Sequence, residues 1–159
     1  MYIRNAELRD LNQIKDIYAH ARQFMKETGN PNQWFDYYPR EEIIIDDINK
    51  RLNYVFVEDD RVVGVMAFII GKDPTYSYIE GKWLNDEKYG TIHRIASISS
   101  GVFDEAVKFA SKKVPNIRID THKDNIVMQH LILKNDFTYC GIIYCHDGTP
   151  RLAYQKKAG

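Results

Sequence analysis

Neither a charge excess, nor a membrane-length apolar run, nor a cysteine framework is present in this 159-residue chain. Its 22 basic residues match 22 acidic ones, so no long-range field draws in nucleic acid or an anionic membrane, although a local basic patch could still hold a phosphorylated cofactor. The longest apolar run, Val62 to Ile70, is interrupted by Gly64 and falls far short of the roughly 20 residues that cross a bilayer. The opening, Met-Tyr-Ile-Arg-Asn-Ala-Glu, is already charged and carries no secretory or transit pattern. Cys140 and Cys145 fall in one predicted strand with side chains on opposite faces, so they cannot bridge each other, and free thiols fit a reducing cytosol. With His146 they do not make a zinc set, which wants four ligands in paired spacings. Neither cysteine stands at a helix N-terminus that would activate a nucleophile, so a catalytic cysteine is not expected. No metal is expected.

What is present is an ordinary globular composition, 44% apolar and 28% charged, with no repeat, linker or low-complexity stretch. One domain over residues 1–159 is expected. Tyr2 to Arg4 reads as a strand. Leu11, Ile14, Tyr18, Ala21 and Met25 recur at helical spacing and stop at Gly29. An aromatic loop follows, and Pro39 suits the first turn of a second helix running to about Leu52. Tyr54 to Glu58 and Val62 to Ile70 form a hairpin about Asp59-Asp60-Arg61. Gly71 to Tyr89 is irregular, and Thr91 to Ile98 is a strand. A helix bearing Phe103, Ala106, Val107 and Ala110, a strand over Ile117 to Thr121, and a helix capped by Asp124 or Asn125 come next. Strands at Phe137 to Cys145 and Leu152 to Gln155 close the order β-α-α-β-β-β-α-β-α-β-β. Its alternating centre implies a right-handed parallel crossover and its flanks imply hairpins, hence a mixed α/β sheet with helices on both faces.

Two segments give this order a resemblance to the GNAT superfamily of N-acetyltransferases over nearly the whole chain. The first is Thr91-Ile-His-Arg-Ile-Ala-Ser97 followed by Ser99-Ser100-Gly101 and a helix. The second runs from Ile117-Arg-Ile-Asp-Thr-His-Lys-Asp-Asn125 to Asn135-Asp-Phe137. The resemblance implies a mostly antiparallel sheet of six to seven strands with a central, splayed parallel pair. It implies acetyl transfer from acetyl-CoA to a primary amine of a small molecule or a peptide, by direct attack in a ternary complex, in a cytoplasmic monomer or homodimer. The coenzyme's diphosphate would rest on amides from Ser99, Ser100, Gly101, Val102 and Phe103, with Ile95, Ala96, Ser97 and Asn125 along its pantetheine arm and Lys134 within reach of its phosphates. Of the family's glycine-rich loop only Gly101 remains, Asp136 stands where the family has glycine, and Ile132 stands where many members have a proton-donating tyrosine. These departures motivate an alternative, a non-catalytic acyl-CoA sensor or partner-binding module on the same fold.

Amide formation from a thioester needs a base for the amine, donors for charge developing on the carbonyl oxygen, and an exit for the thiolate. A backbone N–H within Ile95 to Ser97 serves the oxygen, as the resemblance implies. The expected base is Glu80, with His93 second and Tyr144 as a replacement acid. Trp34, Tyr76, Tyr78, Trp83 and His122 are expected to border the acceptor. Each of these residues has a plainer reading as packing or solvated surface.

Overall fold

The computed structural model describes residues 1–157. Its elements are β1 (Tyr2–Asn5), α1 (Leu11–Glu27), α2 (Glu41–Asn49), β2 (Asn53–Glu58), β3 (Arg61–Ile70), β4 (Glu80–Gly81), β5 (Tyr89–Ser97), α3 (Val102–Lys113), β6 (Asn116–Thr121), α4 (Ile126–Lys134), β7 (Thr138–Tyr144) and β8 (Pro150–Lys157). All eight strands join one sheet in the order β1-β2-β3-β5-β6-β8-β7-β4, one strand more than the six to seven expected. The extra strand, β4, is a two-residue edge piece that pairs Glu80 and Gly81 with Ile142 and Gly141 of β7. Every neighbouring pair is antiparallel except β5 and β6, which are parallel.

Local chemistry accounts for most boundaries. Asp59 and Asp60 both take left-handed conformations (φ 51 and 61), the geometry of a two-residue primed turn that matches the twist of its strands. Pro39 does not open α2: Arg40 is the N-cap and Glu41 and Glu42 fill the first turn, where carboxylates favour the helix dipole. Asn125, rather than Asp124, caps α4 by accepting the Met128 N–H at 3.0 Å. Asp136, after the end of α4, is left-handed (φ 67), as its glycine-like position requires. Cys145 lies just beyond β7 rather than within it, and both cysteines are free.

Two cores sandwich the sheet. On one face α1 and α2 cover Val55, Val57, Val65 and Ala96. On the other, α3 and α4 cover Phe56, Met66, Phe68, Ile92, Ile117 and Ile119. β3 contributes to both cores, so its apolar residues run without alternation. Gly64 is needed there because a Cβ would lie 2.9 Å from Val102 of α3.

Candidate active site

The sheet opens at its centre. β5 and β6 pair only at Tyr89–Asn116, Gly90–Ile117 and Thr91–Arg118. Beyond these pairs β5 runs on to Ser97 and β6 to Thr121 without meeting, while β6 stays paired with β8 along its whole length. A bulge accompanies the divergence. Val65 opposes Ala96 and Ala67 opposes His93, so Arg94 and Ile95 share the single partner Met66, and Arg94 is left-handed (φ 49). A bulge of this kind raises local twist and turns the strand end away from its neighbour.

Both helices of one face hold the bulge. The Arg94 guanidinium makes a two-pronged contact with Asp47 of α2, at 3.0 Å on each prong, and donates to the Tyr38 hydroxyl at 3.2 Å. The Tyr18 hydroxyl of α1 donates to the Arg94 carbonyl at 2.7 Å, and burial raises its pKa so that it remains a donor.

Between the diverging strands lies a cleft of about 630 Å³, a size suited to a cofactor or small-molecule site. The aromatic loop bearing Trp34 and Tyr38 walls one side, residues 71–75 a second, and the start of β8 with its preceding turn a third. At its upper end the Gln33 side-chain oxygen accepts from Asn125 at 3.0 Å and from Asn30 at 2.9 Å, which ties the loop to the start of α4.

One corner of the cleft concentrates titratable groups. His93 Nε2 lies 2.9 Å from Asp73 Oδ2. A carboxylate only accepts, so Nε2 is the donor in this contact, and in the neutral imidazole Nδ1 is then the acceptor. Asp73 is itself fixed by the Thr75 N–H at 2.9 Å and the Thr75 hydroxyl at 2.7 Å, and its own N–H donates to the Tyr89 hydroxyl at 2.7 Å. Burial alone would raise the Asp73 pKa, but the bonds from His93 and Thr75 outweigh it and bring the pKa down to about 2. Beside this pair the Tyr76 hydroxyl donates to Asp120 at 2.6 Å. Burial, then the nearby Asp120 charge, push the Tyr76 pKa well up, so it stays a donor.

The turn after β5 offers an anion site. Gly101 is left-handed (φ 84), open space surrounds it, and no side chain caps α3 behind it. First-turn N–H groups are therefore available to a phosphate. The Ser99 hydroxyl is engaged elsewhere, 3.2 Å from Glu58, and Ser97 to Phe103 lie outside the cleft wall, whereas Ile95 and Asn125 form part of it. Lys134 sits exposed at the end of α4.

The other sequence candidates fall into two groups. His93 and Trp34 line the cleft, and Tyr76 backs it through Asp120. Glu80, Tyr78, Trp83, His122 and Tyr144 do not line it. Glu80 is exposed on β4 and accepts from the Tyr144 hydroxyl at 2.8 Å, a bond that raises the Tyr144 pKa. Tyr78 stacks on Tyr144 beside a separate shallow surface depression. Trp83 packs over the Arg118 guanidinium at 4.0 Å. His122 accepts the Asp124 N–H through Nδ1 at 3.0 Å, and burial lowers its pKa, so it works as a neutral turn acceptor. Ile132, fully buried in the core, offers no proton. Sequence reading missed Asp73, Asp120 and the Asp47–Arg94 pair. Asp73-Pro-Thr75 carries a readable signal, an aspartate capping a short turn.

Comparison with solved structures decides the family. A GNAT-family acetyltransferase from Streptococcus agalactiae 2603 is 36% identical with a TM-score of 0.89, over 99% of this chain and 95% of that one. The chain belongs to the GNAT family of acetyltransferases. A GNAT acetyltransferase from Listeria monocytogenes 4b F2365 (22% identical, TM-score 0.70, 98% and 94% covered) shares the fold. So does a phosphinothricin acetyltransferase from Sinorhizobium meliloti in complex with AcCoA (12% identical, TM-score 0.66, 99% and 88% covered). No protein-family model and no curated protein matches the chain. The GNAT splay is thus the β5–β6 divergence, and the sequence-derived fold agrees with it apart from the added edge strand.

Proposed function

We propose that the protein transfers an acetyl group from acetyl-CoA to an amine bound in the cleft, with His93 as the general base. The observation that carries this reading is the His93–Asp73 pair on the open arm of β5, inside the cleft that the splay creates.

The residues present fit the coenzyme. The unpaired arms of β5 and β6 leave room for a pantetheine chain, the uncapped start of α3 at Gly101 offers amides to a diphosphate, and Asn125 stands at the upper wall. When bound, acetyl-CoA supplies an activated thioester carbonyl. Past Thr91 the backbone of β5 has no strand on its β6 side, so N–H groups of Ile95 to Ser97 that point there are free to stabilise charge developing on that oxygen. Asp73 would hold the imidazole in the tautomer whose Nδ1 accepts the amine's proton as the nitrogen bonds to the thioester carbon. The carbon–sulfur bond would then break, the thiolate leaving to solvent because Ile132 offers it no proton, and Nδ1 would pass its proton on to water. The Arg94 bulge, fixed by Asp47, Tyr38 and Tyr18, keeps these N–H groups and His93 in constant relation.

The test is thiol release from acetyl-CoA across a panel of primary amines, alongside the melting temperature. Acetyl-CoA should raise the melting temperature by mass action, and at least one amine should release thiol in a His93-dependent way. Stabilisation by the coenzyme with no turnover on any amine would leave an acyl-CoA sensor instead.

A further inference from the structure

The corner that holds His93 contains a second carboxylate without a counter-ion. Asp120 stands on β6 beyond the last residue paired with β5, and it lines the cleft. Among the described residues no cation lies within ion-pair distance of it, and its single side-chain hydrogen bond comes from Tyr76. Arg118, two positions earlier on the same strand, is committed to the Trp83 and Tyr89 rings at 4.0 and 3.9 Å and to the Asn85 carbonyl. Arg151 on adjacent β8 turns back to Thr149 and the Pro150 carbonyl. Asp73, the other carboxylate here, is already satisfied by His93 and Thr75.

Asp120 is also held in place. Tyr76 is buried, its ring packs on Trp83 at 5.0 Å, and Trp83 Nε1 donates to the Tyr76 carbonyl at 3.0 Å. One neutral donor leaves most of the acceptor capacity of the half-buried Asp120 carboxylate open toward the cleft, where a cationic ligand could use it. Thr91 is a second, independent sign of a missing ligand. It precedes His93 by two on the same face of β5, it lines the cleft and is 1% exposed, and its hydroxyl has no partner. Tyr76 links the two groups: its ring lies 6.4 Å from the His93 ring and its hydroxyl holds Asp120 at 2.6 Å, so both face one cleft around a single tyrosine, and the length of the linking chain is read by the probes below.

We infer that the acceptor is an amine with a second cationic group, which Asp120 binds while His93 faces the reacting nitrogen. The class is diamines and their basic analogues: one nitrogen is acetylated and the other keeps its charge on Asp120. A monoamine would leave the carboxylate unpaired. This inference rests on the catalytic reading above, and its test separates the two.

The probes are α,ω-diamines from 1,2-diaminoethane to 1,6-diaminohexane, each against the monoamine of equal chain length, with thiol release from acetyl-CoA as readout. For at least one length, kcat/KM should favour the diamine by roughly tenfold to a hundredfold, the range for a hydrogen bond to a charged group. Asp120→Asn should bring that ratio close to one, Asp120→Glu should retain part of it, and Asp120→Lys should shift preference toward the matching ω-amino acid. A structural role would lower both rates and leave the ratio, and circular dichroism on each variant detects misfolding directly. A wild-type ratio near one at every length, no turnover of any diamine, or a ratio that survives in Asp120→Asn overturns the inference. The catalytic reading fails by a different result, full turnover in His93→Ala with the diamine ratio intact.

Discussion

Replacing Asp73 by asparagine perturbs both the stability and the chemistry of the site, and the structure sets the size of each effect. The Asp73 carboxyl drops from its ordinary 3.8 to about 2 on folding, which corresponds to about 2 kcal/mol of stability. The folded value lies below the unfolded one, so this contribution is complete above about pH 5 and is lost as pH falls through about 2. At pH 7 the variant should therefore unfold about 2 kcal/mol more easily, and that gap should shrink to about half by pH 3. Urea titrations of both proteins at the two pH values read this directly. The chemical effect is larger. An asparagine amide can donate to Nε2, which moves the imidazole proton to Nδ1, the atom that must accept the amine's proton. Turnover should then fall on the order of 10²–10⁴-fold, the contribution of a positioned base. Unchanged turnover, or a stability gap of the same size at both pH values, would refute the assignment of Asp73.

Three more outcomes follow from the geometry. Asp47→Ala strips the buried Arg94 guanidinium of its carboxylate partner and should cost about 3–5 kcal/mol in denaturant unfolding, with turnover lost as the bulge loosens. Asp136→Gly relieves a left-handed aspartate and should raise stability by up to about 1 kcal/mol, seen as a melting point higher by about 2–4 °C. Glu80→Gln, on the exposed edge outside the cleft, should change thiol release by no more than about twofold, and a loss comparable with that of His93→Ala would return Glu80 to the base role.

The order of elements is legible in the sequence because most of it is local. Period and caps give α1, α3 and α4, Asp59-Asp60 gives the hairpin, and the unbroken apolar run of β3 gives its central place. β4 is not legible, since two residues acquire strand geometry only from β7, which lies about sixty positions later. The bulge is equally hidden: nothing near Arg94 requests a left-handed conformation, and the groups that hold it, Asp47 and Tyr18, come from helices far back in the chain. His93 is visible as a candidate, whereas its partner Asp73 sits 20 positions away in a stretch without periodicity. The tyrosine-rich segment around Glu80 reads as an acceptor border, but a two-residue pairing with β7 turns Glu80 toward Tyr144 on the surface. Asp120 looks like an alternating strand residue until the splay removes its neighbour.

A crystal structure with acetyl-CoA bound tests the central claim most directly. The pantetheine should run between the strand carrying Ala96 and the strand carrying Ile119, with the diphosphate on the amides after Gly101 and the thioester carbonyl within reach of the backbone at Ile95 to Ser97, beside His93. A coenzyme seated elsewhere on the molecule, or an opening between β5 and β6 filled by side chains, would contradict it.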